Sequence, residues 1–221
     1  MKKYVFSLSE PYMELFFPKH RIKTKVEIIK ILLEATRFMI VNPTFGIAPD
    51  KVKGRIILYI DKMSRLFLLN DNKFYSIVFP FSTYKNGGSF KFSFHGNETI
   101  ESRLISKVIS IITCDKFKEK CSLDFISPIY DYEEDHDENF WNFLREILLT
   151  EDGYIRYDHD ENGHQGAVEK GQEHRHPLHH YDLFYTNKAT FKLGLHGAVS
   201  DSDFYDLLNV KTDCQYLSNY H

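Results

Sequence analysis

At Gly54 the chain changes its period, and that change rules out an all-helical fold. Upstream, residues 24–41 read "TKVEIIKILLEATRFMIV", with apolar residues recurring at helical spacing. Thr24 with Glu27 three residues on is a capping-box pattern, and Pro43 closes the segment. Downstream, "RIILYID", "RLFLLN", "FYSIVFPF" and "SFKFSFHG" are rich in β-branched and aromatic residues. Several are separated by turn signals, Asn70-Asp71-Asn72 and Asn86-Gly87-Gly88. In "FKFSFH" the aromatic rings of Phe90, Phe92 and Phe94 alternate with Lys91, Ser93 and His95, so one face is buried and one is wet. The expectation for 54–96 is an antiparallel meander of three or four strands.

Further helices are expected over 98–113, 140–149 and 200–209, the last capped by Ser200 with Asp203 at N3. Strands are expected over 122–130, 153–160, 179–186 and 190–196, and a polar loop carrying three glycines over 161–176. Together these give an α+β fold, antiparallel meanders packed with a few helices, in one composite domain. With 221 residues, 43% of them hydrophobic, the chain can bury a substantial core. The 19 phenylalanines and 14 tyrosines favour sheets over bundles.

A net charge of −3 conceals a strong polarity. Residues 1–121 form a basic half: its first 120 residues carry 21 lysines and arginines against 11 acidic residues. Residues 122–221 form an acidic half, since the chain from 121 onward carries 7 against 20. Such halves attract each other within the chain, dock a protein partner or a second copy, or give the basic half a polyanion. No Gly/Ser/Pro-rich linker divides them. An interrupted N-terminus speaks against a signal peptide, and no apolar run reaches membrane length. Three cysteines without CxxC spacing fit a reducing, cytoplasmic compartment rather than a disulfide framework or a zinc–thiolate site.

Chemistry concentrates near the C-terminus, where "QEHRHPLHHYD" (172–182) holds four histidines within seven positions. Alternation along the strands places Arg156, Asp158 and Asp160 on one face of the first. His180 and Asp182 share a face of the second, and Lys192, Gly194 and His196 a face of the third. The last two strands are expected to form a hairpin with Leu183 opposite Leu193. That register sets Asp182 opposite Gly194 and His180 opposite His196, because an odd slip would turn carboxylates toward leucines. Gly194 is then expected to let a substrate approach the sheet.

Two chemistries suit such a face. Neutral imidazoles with carboxylates bind a divalent metal, with His176, His180, Asp182 and His196 as candidate ligands. Metal-free phosphodiester cleavage needs instead a base, an acid and a cation. Candidates for that site are Arg156, Asp158, His176, His180 and Asp182, with imidazoles that titrate near neutrality. Nucleic-acid contacts are expected from Lys19, Arg21, Lys23, Lys25, Lys85, Lys91 and Lys192, of which Lys85 and Lys91 sit beside Tyr84 and Phe90. No HExxH, Walker A, GxGxxG or GxSxG pattern is present. A PD-(D/E)xK core fails at Thr190. A ββα-metal arrangement has only Asp203, Asp206 or Asn209 to offer on its helix.

The Arg156-Tyr157-Asp158 strand followed by His176, Pro177, His179 and His180 resembles a pattern of uncharacterised bacterial proteins, some similar to toxin–antitoxin components. "FKLGLH" before a short C-terminal helix is similar to an uncharacterised bacterial family of this size. The resemblance implies a role in bacterial conflict or defence and carries no mechanism. Three functions stand as expectations: a phosphodiester hydrolase of nucleic acid, a non-enzymatic adaptor or regulatory subunit, and a metal-binding domain without catalysis. No cofactor other than a divalent metal ion is suggested.

Overall fold

The computed structural model describes residues 2–42, 51–62, 64–94, 98–115, 117, 138–186 and 189–216. In chain order the strands are β1 (Lys2–Leu8), β2 (Gly54–Ile60), β3 (Arg65–Leu69), β4 (Lys73–Val78) and β5 (Ser82–Asn86). They continue with β6 (Ser89–Phe94), β7 (Glu98–Thr99), β8 (Ile155–His159), β9 (His179–Thr186) and β10 (Ala189–Leu195). The helices are α1 (Met13–Phe16), α2 (Lys25–Val41), α3 (Ser102–Thr113), α4 (Glu138–Leu149), α5 (Glu161–Val168) and α6 (Asp201–Leu207). The fold is α+β. Seven strands form one antiparallel sheet in the order β1-β2-β3-β4-β8-β9-β10, and β5-β6-β7 form a second.

Strand parity decides the layers. One face of the large sheet carries Phe6, Leu8, Ile56, Leu58, Leu66, Leu68, Tyr75 and Ile77 into the main core. There they meet α2, whose Ile28, Ile29, Leu32, Leu33, Ala35 and Met39 are buried. The capping box expected at Thr24 and Glu27 is present at the start of α2. The small sheet turns Phe90, Phe92 and Phe94 into the same core, Phe90 against Tyr4 and Phe6, and Phe94 against Phe143 of α4. The other face of the large sheet is covered by α6, through Phe204 on Phe67, Phe74 and Tyr181, and Tyr205 on Tyr59.

Three local readings change. The meander over 54–94 splits between two sheets, with a strand at 2–8 added as the outer edge of the larger one. The polar stretch 161–176 is not a loop throughout: α5 occupies 161–168 and a 3-10 turn 173–175. Its glycines and charges lack any apolar period. The helix is started instead by the Asp160 side chain, which accepts from the Gly163 N–H at 2.9 Å. The β9–β10 register is displaced by two residues from the expected one, so that Lys192 faces Asp182, Leu193 faces Tyr181 and Gly194 faces His180. An irregularity between Ala189 and Thr190 shifts the pairing by one residue beside the hairpin end. A slip of two preserves which side chains share a face, so alternation alone cannot distinguish it. The strand expected over 122–130 lies outside the described residues.

Most consequential is the pairing of β4 with β8, which brings Lys73 opposite Asp158 and Tyr75 opposite Arg156. One cross-strand row therefore runs Phe6, Ile56, Leu68, Tyr75, Arg156, Asp182, Lys192. It begins apolar and ends charged on a single face.

Candidate functional site

The charged end of that row is built on β8, β9 and β10, with Arg21 reaching in from the segment before α2. Arg156, Asp158, His180 and Asp182 are all buried, His180 completely. Arg156 Nη2 donates to Asp182 Oδ2 and pairs with Asp158 Oδ2, each at 2.5 Å. Asp182 Oδ1 accepts from Arg21 Nη2 at 2.8 Å and lies 3.3 Å from Lys192 Nζ. Three cations thus surround one carboxylate. Burial raises the pKa of Asp182, but Arg156, Lys192 and Arg21 outweigh it and hold the group below its ordinary 3.8.

His180 is locked in one tautomer. Its Nδ1 lies 2.8 Å from the Pro177 carbonyl, which only accepts, so Nδ1 carries the proton. Nε2 is left as an acceptor and receives a hydrogen bond from Lys192 Nζ. Burial, reinforced by the Lys192 charge, pushes the imidazole below its ordinary 6.5 and keeps it neutral. Burial likewise lowers the Lys192 ammonium, against the opposing pull of Asp182, and lowers Lys73 against that of Asp158. Gly194, opposite His180, has no Cβ because one would stand 2.9 Å from the Pro177 ring. The glycine expected to admit a substrate makes room instead for the proline whose carbonyl fixes His180.

A second imidazole adjoins the first. His176 sits edge-on to His180 with ring centroids 5.2 Å apart, and its Nε2 lies 2.8 Å from Asp160 Oδ2. Burial works against the Asp160 carboxylate, yet the Gly163 N–H and the His176 ring hold its pKa below 3.8. A Cβ on Gly163 would lie 2.4 Å from His176 Nε2, so this glycine exists to seat the ring. His164 Nδ1 in turn contacts the His176 carbonyl at 2.8 Å.

The remaining expected residues scatter. His196 follows β10, is exposed, and is not a member of the Asp158–His180–Asp182 group. His174 is exposed beside Glu173. His179 belongs to the opposite sheet face, bonded to the Tyr157 hydroxyl at 2.9 Å and stacked on His159. Lys19 and Lys23 are exposed near Arg21, while Lys25 is tied to the Thr150 carbonyl and lies near Asp152. Lys85, over the Tyr4 and Phe90 rings, and Lys91 belong to the small sheet beside β1. Five strand spacings separate β1 from β9, about 24 Å, so these two lysines are remote from the histidines. Lys73 and the Asp160–His176 contact escaped sequence reasoning. The first depends on the β4–β8 pairing and the second on a helix whose residues show no apolar period.

The ligand atoms of Asp158, His180 and Asp182 lie within 4.8 Å of one another, a spacing suited to a metal ion. Around them stand Arg21, Lys73, Arg156 and Lys192 against Asp158, Asp160 and Asp182, an excess of one positive charge with His180 neutral. The buried Nε groups of Arg21 and Arg156 and Oδ1 of Asp158 have no hydrogen-bond partner among the described residues. No helix among the described residues is long and apolar enough to cross a membrane. No protein-family model matches the chain, and no curated protein or solved structure is significantly similar to it.

Proposed function

We propose that the polar end of the large sheet cleaves phosphodiester bonds of nucleic acid by acid–base chemistry. One observation carries the reading: a neutral, fully buried His180, fixed by the Pro177 carbonyl, presents its Nε2 to the ammonium of a half-buried lysine, Lys192. A donor held this way, with its pKa lowered by burial, suits proton transfer to a leaving oxygen. His176, oriented by Asp160, supplies the matching base. Arg21 and Arg156, paired to Asp182 and Asp158, contribute to the net positive charge that a phosphorane requires.

Purified protein incubated with labelled RNA and DNA oligonucleotides should cleave at least one of them. His176→Ala, at a position 28% exposed in its side chain, should abolish cleavage with the fold intact by circular dichroism. Cleavage retained by His176→Ala contradicts the assignment. Inertness of the wild type on both substrates, with a defined protein retained in pull-down, favours the adaptor role instead.

A second reading rests on the Asp158–His180–Asp182 spacing: a divalent metal held by these three. It requires Lys192 to leave His180 Nε2 and Asp182, and it adds to an existing positive excess. Elemental analysis of untagged protein showing near-stoichiometric metal would favour it, and metal-free protein with undiminished cleavage in chelator would remove it.

A further inference from the structure

The phosphodiester reading leaves the nucleophile open, and the charge balance of the site narrows it. Four cations already face three carboxylates, so a second positive centre able to turn water into hydroxide is electrostatically disfavoured. An imidazole alone is a weak base toward water. It suffices for an alcohol that the substrate itself holds beside the phosphorus, because intramolecular attack carries effective molarities of about 10⁵–10⁸ M.

We infer that the substrate is RNA, and that the site cleaves it through the 2′-hydroxyl of the nucleotide preceding the scissile bond. The inference rests on the phosphodiester reading and specifies its substrate class. The Asp160 carboxylate accepts from His176 Nε2–H, which leaves Nδ1 as the basic nitrogen. That orientation is enforced three times: Asp160 is fixed by the Gly163 N–H, Gly163 lacks the Cβ that would strike the ring, and His164 contacts the His176 carbonyl. In the step, His176 Nδ1 takes the proton of the 2′-hydroxyl. The 2′-oxygen forms a bond to phosphorus as the bond from phosphorus to the 5′-oxygen breaks. Lys192 Nζ gives a proton to the departing 5′-oxygen and becomes a neutral amine beside His180 Nε2. The products are a 2′,3′-cyclic phosphate and a 5′-hydroxyl. No oxidant, metal or co-reactant enters, and solvent returns the proton from His176 to Lys192. His176 and Lys192 are the catalytic residues; Asp160, His180 and Asp182 are positioning residues.

The test uses four end-labelled oligonucleotides of one sequence: RNA, DNA, fully 2′-O-methylated RNA, and DNA with a single ribonucleotide. Each is incubated with full-length protein in chelator and in magnesium. RNA and the single-ribonucleotide strand should be cut equally in both buffers, leaving a cyclic phosphate by mass spectrometry. DNA and the methylated strand should be cut at least about a thousandfold more slowly. Cleavage of DNA at a comparable rate, or ends bearing a 3′-hydroxyl and 5′-phosphate, overturns the inference and leaves the phosphodiester reading standing. Failure to cut any of the four overturns both. Asp160→Asn keeps an acceptor for His176 but removes the charge, so it should slow RNA cleavage about tenfold and move the acid limb of the pH–rate profile to lower pH. A purely structural Asp160 would lower thermal stability without moving that limb.

Discussion

The two ends of one sheet face solve the same problem differently. On β1 to β4 the row Phe6, Ile56, Leu68, Tyr75 is closed by α2 and aromatic contacts. On β8 to β10 the same row continues as Arg156, Asp182 and Lys192, closed by an ion network in which Arg21 joins from outside the sheet. Apolar burial stabilises without geometric demands beyond packing. Buried ions must recover a desolvation penalty through placement, and apolar groups of equal volume often serve stability as well or better. A fold that needed only closure could have continued the apolar row. The proposed function gives the charged end a use, and its glycines, proline and helix cap orient two imidazoles.

The sharpest way to break the comparison is to remove one member from each end. Arg156→Met leaves Asp158 and Asp182 buried without their guanidinium and should cost about 3–5 kcal/mol by urea denaturation at neutral pH. That cost should shrink on acidification, as the stranded carboxylates take up protons. Leu58→Ala, fully buried at the apolar end, should cost about 2–5 kcal/mol and show the same value across pH and salt. Equal pH dependence of the two would erase the distinction.

Smaller effects probe the supports. Gly163→Ala forces a Cβ against His176 and Asp160, and should destabilise by about 1–3 kcal/mol while breaking their contact in the imidazole NMR spectrum. Gly166→Ala, where a Cβ meets nothing within 4 Å, should be neutral or slightly stabilising in the same assay. The pH dependence of the wild type follows from two depressed groups. His180 prefers its neutral form in the folded state, so its contribution is full above its ordinary 6.5 and is lost as pH falls through that region. Asp182 prefers its ionised form, and its contribution persists until pH falls below its ordinary 3.8. Urea midpoints should therefore fall between about pH 7 and about pH 5 in the wild type and remain flatter in His180→Asn.

Much of this site was legible in the sequence, for a definite reason. Strand alternation places Arg156, Asp158, His180, Asp182 and Lys192 on one face, and the structure brings these five side chains together. Parity survives a slip of two residues, so the face was right while the β9–β10 register was not. What alternation cannot supply is the neighbour of β8. Lys73 joins the cluster only because the basic and acidic halves share one sheet through the β4–β8 pairing. Arg21 was visible only as one of several basic residues near α2, and its partner, 161 positions away, follows from the fold. His176 and the polar-face Asp160 are both visible in the sequence, but their contact is hidden, because it depends on a helix that starts at the Asp160 cap and has no apolar stripe.

Lys192 offers the most direct trial of the central claim, because its side chain is 20% exposed and can be replaced with little disturbance to packing. The decisive measurement pairs the cleavage rate of a labelled RNA strand by Lys192→Met with its melting temperature. If the polar end exists for chemistry, the rate should fall by about 10²–10⁴-fold while the fold melts within a few degrees of the wild type. An unchanged rate, or a loss of rate that merely tracks a loss of folded protein, would show the network to be structural and would contradict the account.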